Sequence, residues 1–179
     1  MQNDHSKDDA TPHGTVNLAA DAVEMAKLGL EQARDALSKL PILGPALWLY
    51  ARDPNRKFTF LADMDWLVLP PVILDQCRLY TKNGIPFAFF TWAHVSDAVD
   101  ERLRSGIGKI APHEWKAGTH AWLIDLVAPF GPMDEMLSEL RSTLLAGQVV
   151  RALLPDPQQG GKLVVREWPA VAPADAVKH

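Results

Sequence analysis

Residues 122–131 read WLIDLVAPFG, a run with the length and side-chain types of a β-strand that is apolar on both faces. A strand of that kind belongs to the interior of a sheet covered on both sides by helices, which sets the rest of the chain the task of supplying those helices. One residue breaks the pattern: Asp125 stands in the middle of the run. Burying an unpaired carboxylate costs several kcal/mol, about enough to cancel the stability of a small domain. The acid must therefore meet a basic or hydrogen-bonding partner that holds the fold together, or be kept for chemistry.

Working outward, the pattern on either side of this strand supports a mixed α/β domain. QCRLYT and IPFAFFTWAHV flank the turn signal KNG and predict a hairpin, after which Ser96 is placed to cap a helix running through Arg104. Asp97, Asp100 and Glu101 fall in or near the first turn of that helix, where acids suit the helix dipole, and Gly106 follows its end. Beyond the central strand come the helix MDEMLSELRSTLLA, stopped by Gly147, and a second hairpin of QVVRALL and KLVVREW around PDPQQGG. Before the first hairpin, a short helix is expected over Ala46 to Ala51. FLADMDWLVLPPVILDQ reads as another helix, interrupted at Pro70 and Pro71. The order helices, hairpin, helix, strand, helix, hairpin is compatible with the acetyltransferase-like (GNAT-like) architecture, in which one central strand splays from its neighbour to admit a pantetheine arm.

The chain of 179 residues, 47% hydrophobic, suffices for one sizeable core. Its first 14 residues are polar and turn-rich and read as a disordered lead-in. Val16, Ala19, Val23, Ala26, Leu30, Ala33, Leu37 and Leu40 then recur at helical spacing, giving an amphipathic helix that ends near Pro41 and Gly44. Its polar face carries Asp21, Glu24, Glu31 and Asp35, which suits packing on its own domain or a partner subunit better than an anionic membrane. The expected division is a helical extension over residues 1–40, a catalytic-type domain over 41–168 and a loose tail over 169–179.

Composition excludes several classes of function. A net charge of -4 offers no cationic field for nucleic acid, and the single cysteine, Cys77, allows neither an internal disulfide nor a cysteine-rich zinc site. The N-terminus lacks the pattern of a secretory signal and no segment is apolar for the length of a membrane span, so a cytoplasmic location is expected. No Gly-x-Ser-x-Gly elbow provides a serine nucleophile, and His94, His113 and His120 lack the spacing of a zinc-binding helix. A coenzyme A loop would need a basic residue three positions before the first glycine of GIG, where Leu103 stands. No bound cofactor and no metal are expected.

WLYARDP, FLADMDWLVLPP, RLYTKNGIPFAFFTWAHVS, EWKAGTHAWLIDLVAPFG and VRALLPDP follow one another in the order and spacing of the RTX toxin-activating lysine acyltransferases. The chain resembles that family from about Leu43 to Trp168, most specifically over Gly118 to Gly131. The resemblance implies transfer of a fatty acyl group from acyl carrier protein to internal lysines of an RTX-type protoxin, and a homodimer. It places the family's catalytic aspartate on Asp125. It also exposes a departure: the family's catalytic histidine position, two residues after the proline of the Asp-Pro step, holds Arg56. An arginine stays protonated at neutral pH and cannot act as a base there. Three routes follow. Asp125 alone serves as base; another histidine such as His94 substitutes; or the protein binds acyl carrier protein or protoxin without catalysing transfer. In the first two, Arg56 is free to stabilise an oxyanion or a donor phosphate.

Overall fold

The computed structural model describes residues 18–173. Helix α1 spans Leu18–Lys39, and the expected start at Val16, the lead-in and the end of the tail lie outside the described residues. The chain divides into two compact units, the first running to Leu37 and the second beginning at Ser38. In the first unit Val23, Met25, Leu30 and Leu37 of α1 are each more than 60% exposed.

The second unit is built on a five-stranded sheet in the order β1-β2-β3-β4-β5, with β1 over Cys77–Lys82, β2 over Ile85–Val95, β3 over His120–Val127, β4 over Val150–Asp156 and β5 over Lys162–Trp168. All neighbours are antiparallel except β3 and β4. The first hairpin turns at Asn83 and Gly84, which both take positive φ, as a two-residue turn matched to strand twist requires. Alternation along β2 sends Ala88, Phe90 and Trp92 to one face of the sheet, and Phe89, Ala93 and Val95 to the other.

Helices cover both faces. Helix α6, Met133–Ser142, lays Met136, Leu137 and Leu140 on the first face against Phe90, Trp92 and Leu123. Each such side chain contributes about 1.5–3 kcal/mol by leaving water. The second face is shared by α2, Leu43–Tyr50, at one end and α5, Asp97–Arg104, at the other. Helix α2 contributes Ala46, Leu49 and Tyr50 beside Phe89 and Val127, whereas α5 contributes Val99 and Leu103 beside Ala93 and Trp122. The fold class is thus the mixed α/β sheet flanked by helices, with an N-terminal helix in addition, that the element order predicts.

Several local expectations need correction. The segment before β1 is not one interrupted helix but a chain of single turns: a 3₁₀ turn at Leu61–Asp63, α3 at Met64–Leu67 and α4 at Leu69–Ile73. Pro70 and Pro71 sit in the first turn of α4, where the N–H groups they lack would have no intrahelical acceptor, so they begin a helix instead of breaking one. Helix α2 begins at Leu43, earlier than expected, and α6 ends at Ser142, short of Gly147. Ser96 occupies the cap position of α5 without a side-chain capping bond; its contribution is the backbone carbonyl, which accepts from Asp100 N.

Gly118 marks where the chain tucks under the end of β2. Ala117 and Gly118 both donate backbone N–H groups to the His94 carbonyl, and a Cβ on Gly118 would collide with the backbone carbonyl of Val95. Because the obstacle is main chain, it cannot rotate away. Gly118→Ala is expected to destabilise the domain by about 1–3 kcal/mol, read as a fall in melting temperature of several degrees; an unchanged melting temperature would show that the loop has room to move.

Candidate active site

The site forms where two irregularities of the sheet coincide. The parallel pairing of β3 and β4 comprises Ala121 with Val150, Trp122 with Arg151 and Leu123 with Ala152, and stops there although both strands continue. Past that point the strands part, and a cavity of about 220 Å³ opens between Leu123 and Ile124 on one side and Leu153 and Leu163 on the other, closed by Trp66 and Leu103.

At the same level, the pairing of β2 with β3 slips. Trp92 lies opposite Leu123 but Thr91 lies opposite Asp125, so Ile124 is an extra residue in β3. A bulge of this kind reverses the alternation that follows it. Trp122 faces the α5 side and Leu123 the α6 side; strict alternation would send Asp125 into the apolar layer under α6. The extra residue turns Asp125 to the opposite face, towards α2. The bulge answers how this acid is buried without being stranded.

Three donors converge on the carboxylate, whose side chain has no exposed surface. Tyr50 donates its hydroxyl to Oδ2 at 2.6 Å, Arg56 donates Nε–H to Oδ1 at 2.7 Å, and the Leu126 backbone N–H reaches Oδ1 at 3.0 Å. Asp125 N–H in turn donates to Thr91 Oγ1 at 3.1 Å, which fixes the strand across the bulge. Burial lifts the Asp125 carboxyl above the usual carboxylate range, and the opposing pull of Arg56 and Tyr50 does not cancel it. Burial, with Asp125 beside it, raises the Tyr50 phenol well above its ordinary value.

Tyr50 comes from the last turn of α2 and packs its ring at 6.5 Å from that of Phe89. Arg56 comes from the turn beyond. There Asp53 accepts Asn55 N–H on Oδ1 at 2.8 Å, and its carbonyl accepts the N–H groups of Arg56 and Lys57. Asp-Pro-Asn is therefore a folded turn that holds Arg56 over the sheet. Arg56 remains 42% exposed and lines two cavities: the one between the parted strands, and a second of about 240 Å³ walled by Leu47, Tyr50, Phe60, Leu61 and Met64.

Of the candidate residues, the structure brings Asp125 and Arg56 together and leaves His94 apart. His94 is three positions from Thr91 along β2, hence on the other face of the sheet, where its ring nitrogens bond Gln76 Nε2 at 3.1 Å and Gln148 Oε1 at 3.0 Å. Two amide partners leave neither ring nitrogen open to a substrate. His120 bonds Asp97 at 2.7 Å at the far end of β3. Cys77 is a poor nucleophile, its thiol pushed up to about 11 by burial. Tyr50 and Thr91 had no assigned role in the sequence. The signal for Tyr50 was its position in the apolar helix LWLY, where a buried phenol needs a polar partner.

A mixed five-stranded sheet flanked by helices, whose parallel strands part beside a buried, triply bonded acid, is consistent with an acetyltransferase-like α/β fold. The chain belongs to the RTX toxin acyltransferase family, whose model matches residues 35–169. It is similar to the lysine-acyltransferase RtxC of Vibrio cholerae serotype O1, with 31% identity over 101 residues, 56% of this chain and 66% of that protein. The RTX-I toxin-activating lysine-acyltransferase ApxIC of Actinobacillus pleuropneumoniae is 28% identical over 116 residues, 65% of this chain and 67% of the relative. The protein-lysine myristoyltransferase HlyC of Escherichia coli is 28% identical over 119 residues, covering 66% and 69% respectively. The alignments thus span about two thirds of these relatives. Among the described residues, no helix is long and apolar enough to cross a membrane.

Proposed function

We propose that this protein moves a fatty acyl group from acyl carrier protein to internal lysines of an RTX-type protoxin or a related secreted protein, in the cytoplasm, with Asp125 as the acid that draws the proton from the attacking amine. The observation that carries the reading is the convergence of the parted β3–β4 pair with a bulge that aims Asp125 at Arg56 beside that gap. In this reading the donor's pantetheine arm enters the gap and Arg56, already held by Asp125, faces the thioester carbonyl with its remaining N–H groups. The donor is a substrate, and no other cofactor is required. Lys57, on the same turn as Arg56, and Arg52, at the exit of α2 just before it, suit the acidic surface of acyl carrier protein.

The test is direct: the protein is incubated with acyl carrier protein loaded with a long acyl chain and with an RTX-type protoxin as acceptor, and the products are weighed. A mass gain of one acyl group on acceptor lysines is expected. Tight binding of loaded carrier with no gain on any lysine would instead favour a binding module, the reading that the arginine at the histidine position keeps open.

The homodimer belongs to the same proposal, and the open apolar side chains of α1 are a candidate contact. Deleting residues 1–37 is expected to lower the mass in solution or to weaken acceptor recognition while leaving the sheet domain folded. If mass and acylation both stay the same, α1 serves neither purpose.

A further inference from the structure

Asp125 cannot itself touch a substrate in this arrangement. Its side chain has no exposed surface, both oxygens are bonded, and it lines neither cavity. Any proton that reaches it must pass through one of the groups that cover it. Among the described residues, three groups hydrogen-bond its carboxylate. The Leu126 backbone N–H and the Arg56 guanidinium are donors only, with no lone pair to receive a proton. The Tyr50 hydroxyl alone can both donate and accept. Its one proton is committed to Asp125 Oδ2 at 2.6 Å, which leaves its oxygen lone pairs free, and Tyr50 lines the apolar cavity that Arg56 also borders.

We propose that Tyr50 is a catalytic residue, the group that meets the acceptor nitrogen and relays its proton to Asp125. The inference rests on the acyl-transfer reading above. A neutral amine attacks the thioester carbonyl carbon; the C–N bond forms and the carbonyl π pair moves to oxygen. The nitrogen, now positively charged, gives one proton to Tyr50 Oη as the hydroxyl proton of Tyr50 passes to Asp125 Oδ2. The oxyanion then re-forms the carbonyl, the C–S bond breaks, and the departing sulfur takes the stored proton back along the same path. Atoms and charges balance without a further reactant, and Asp125 and Tyr50 end as they began. The hydroxyl thus stands in for the base that Arg56 cannot be.

The test compares the wild type with Tyr50→Phe in acyl transfer. The phenylalanine ring keeps the packing against Phe89 and removes only the relay atom. Transfer is expected to fall by about 10²-fold or more, within the range of general-base catalysis, with carrier affinity unchanged. Mixtures of light and heavy water give a second readout. Two protons in flight make the wild-type rate bow downward with deuterium content, and the residual rate of Tyr50→Phe should follow a straight line; a purely structural Tyr50 would leave the curve's shape alone. If Tyr50→Phe fails to fold, replacing both tyrosines of the chain, Tyr50 and Tyr80, by 3-fluorotyrosine keeps the hydrogen bonds and alters the phenol acidity. A changed pH–rate profile, retained when Tyr80 is phenylalanine, supports the relay, and an identical profile overturns it. A wild type that transfers no acyl group defeats the functional reading itself, whereas an active wild type matched by Tyr50→Phe defeats only the relay.

Discussion

Replacing Asp125 by asparagine is expected to lower acyl transfer by about 10³-fold while leaving the fold in place. Asparagine has the same shape: with its amide oxygen at the Oδ1 position it still accepts from Arg56 Nε–H and the Leu126 N–H, and its amide nitrogen can donate to the Tyr50 hydroxyl oxygen, so most of the local hydrogen bonds survive. What it cannot do is receive a proton, and a positioned base is worth about 10² to 10⁴ in rate. Stability gives a second signature. The Asp125 carboxyl is raised in the folded protein, so its protonated form is the one that folding favours. Its contribution is full below the ordinary carboxylate range and is lost as pH rises through the raised value, the reverse of a surface carboxylate held by a salt bridge. Asp125→Asn should therefore flatten that part of the pH–stability curve, with the wild type losing stability relative to the variant as pH rises. Full transfer by the variant would remove Asp125 from the chemistry; loss of transfer with loss of the melting transition would reduce it to a structural acid.

The strand that holds Asp125 could be read from its apolar run, and so could the first hairpin, because Asn83-Gly84 and the aromatic-rich run of β2 are local signals. The bulge could not. Ile124 fits an in-register strand as well as a bulged one, and only the pairing with β2 shows that it is the extra residue that turns Asp125 towards α2. Arg56 was visible as a departure at a known position, but its partner was not: 69 residues separate it from Asp125, and the Asp53 turn that aims it depends on a side-chain to backbone bond. His94 drew attention as a histidine following a strong strand pattern. Its exclusion from the site is a matter of parity, an odd number of residues from Thr91, which becomes informative only once the face occupied by Asp125 is known. The prolines at 70 and 71 misled for a related reason, since proline ends one helix and starts another with equal ease.

Arg56→His places at this position the residue that the family resemblance leads one to expect, and the geometry decides which outcome to anticipate. Arg56 Nε sits 2.7 Å from Asp125 Oδ1, and its charge is the largest influence holding the Asp125 carboxyl down against burial. Histidine is shorter and, at neutral pH, mostly uncharged. It leaves Asp125 with less opposition to burial, so that carboxyl rises further and the acidic limb of the pH–rate profile moves to higher pH. The pair also loses stability. A fully buried partner removed from an ion pair costs about 3–5 kcal/mol, but the guanidinium is 42% exposed and partly screened by water, so about 1–2 kcal/mol is the fitting expectation. Against this, histidine supplies a base of suitable pKa at the edge of both cavities. If Tyr50 already relays the proton, a second base adds little and the loss of charge dominates. Transfer by Arg56→His is then expected to fall about ten-fold at neutral pH and to recover part of the loss as pH is raised. A ten-fold rise at neutral pH would mean that the wild-type site lacks only a base, and would count against Tyr50 in that role. The double variant Tyr50→Phe with Arg56→His separates the two: if histidine substitutes for the relay, it restores transfer in the Tyr50→Phe background while depressing it in the wild type.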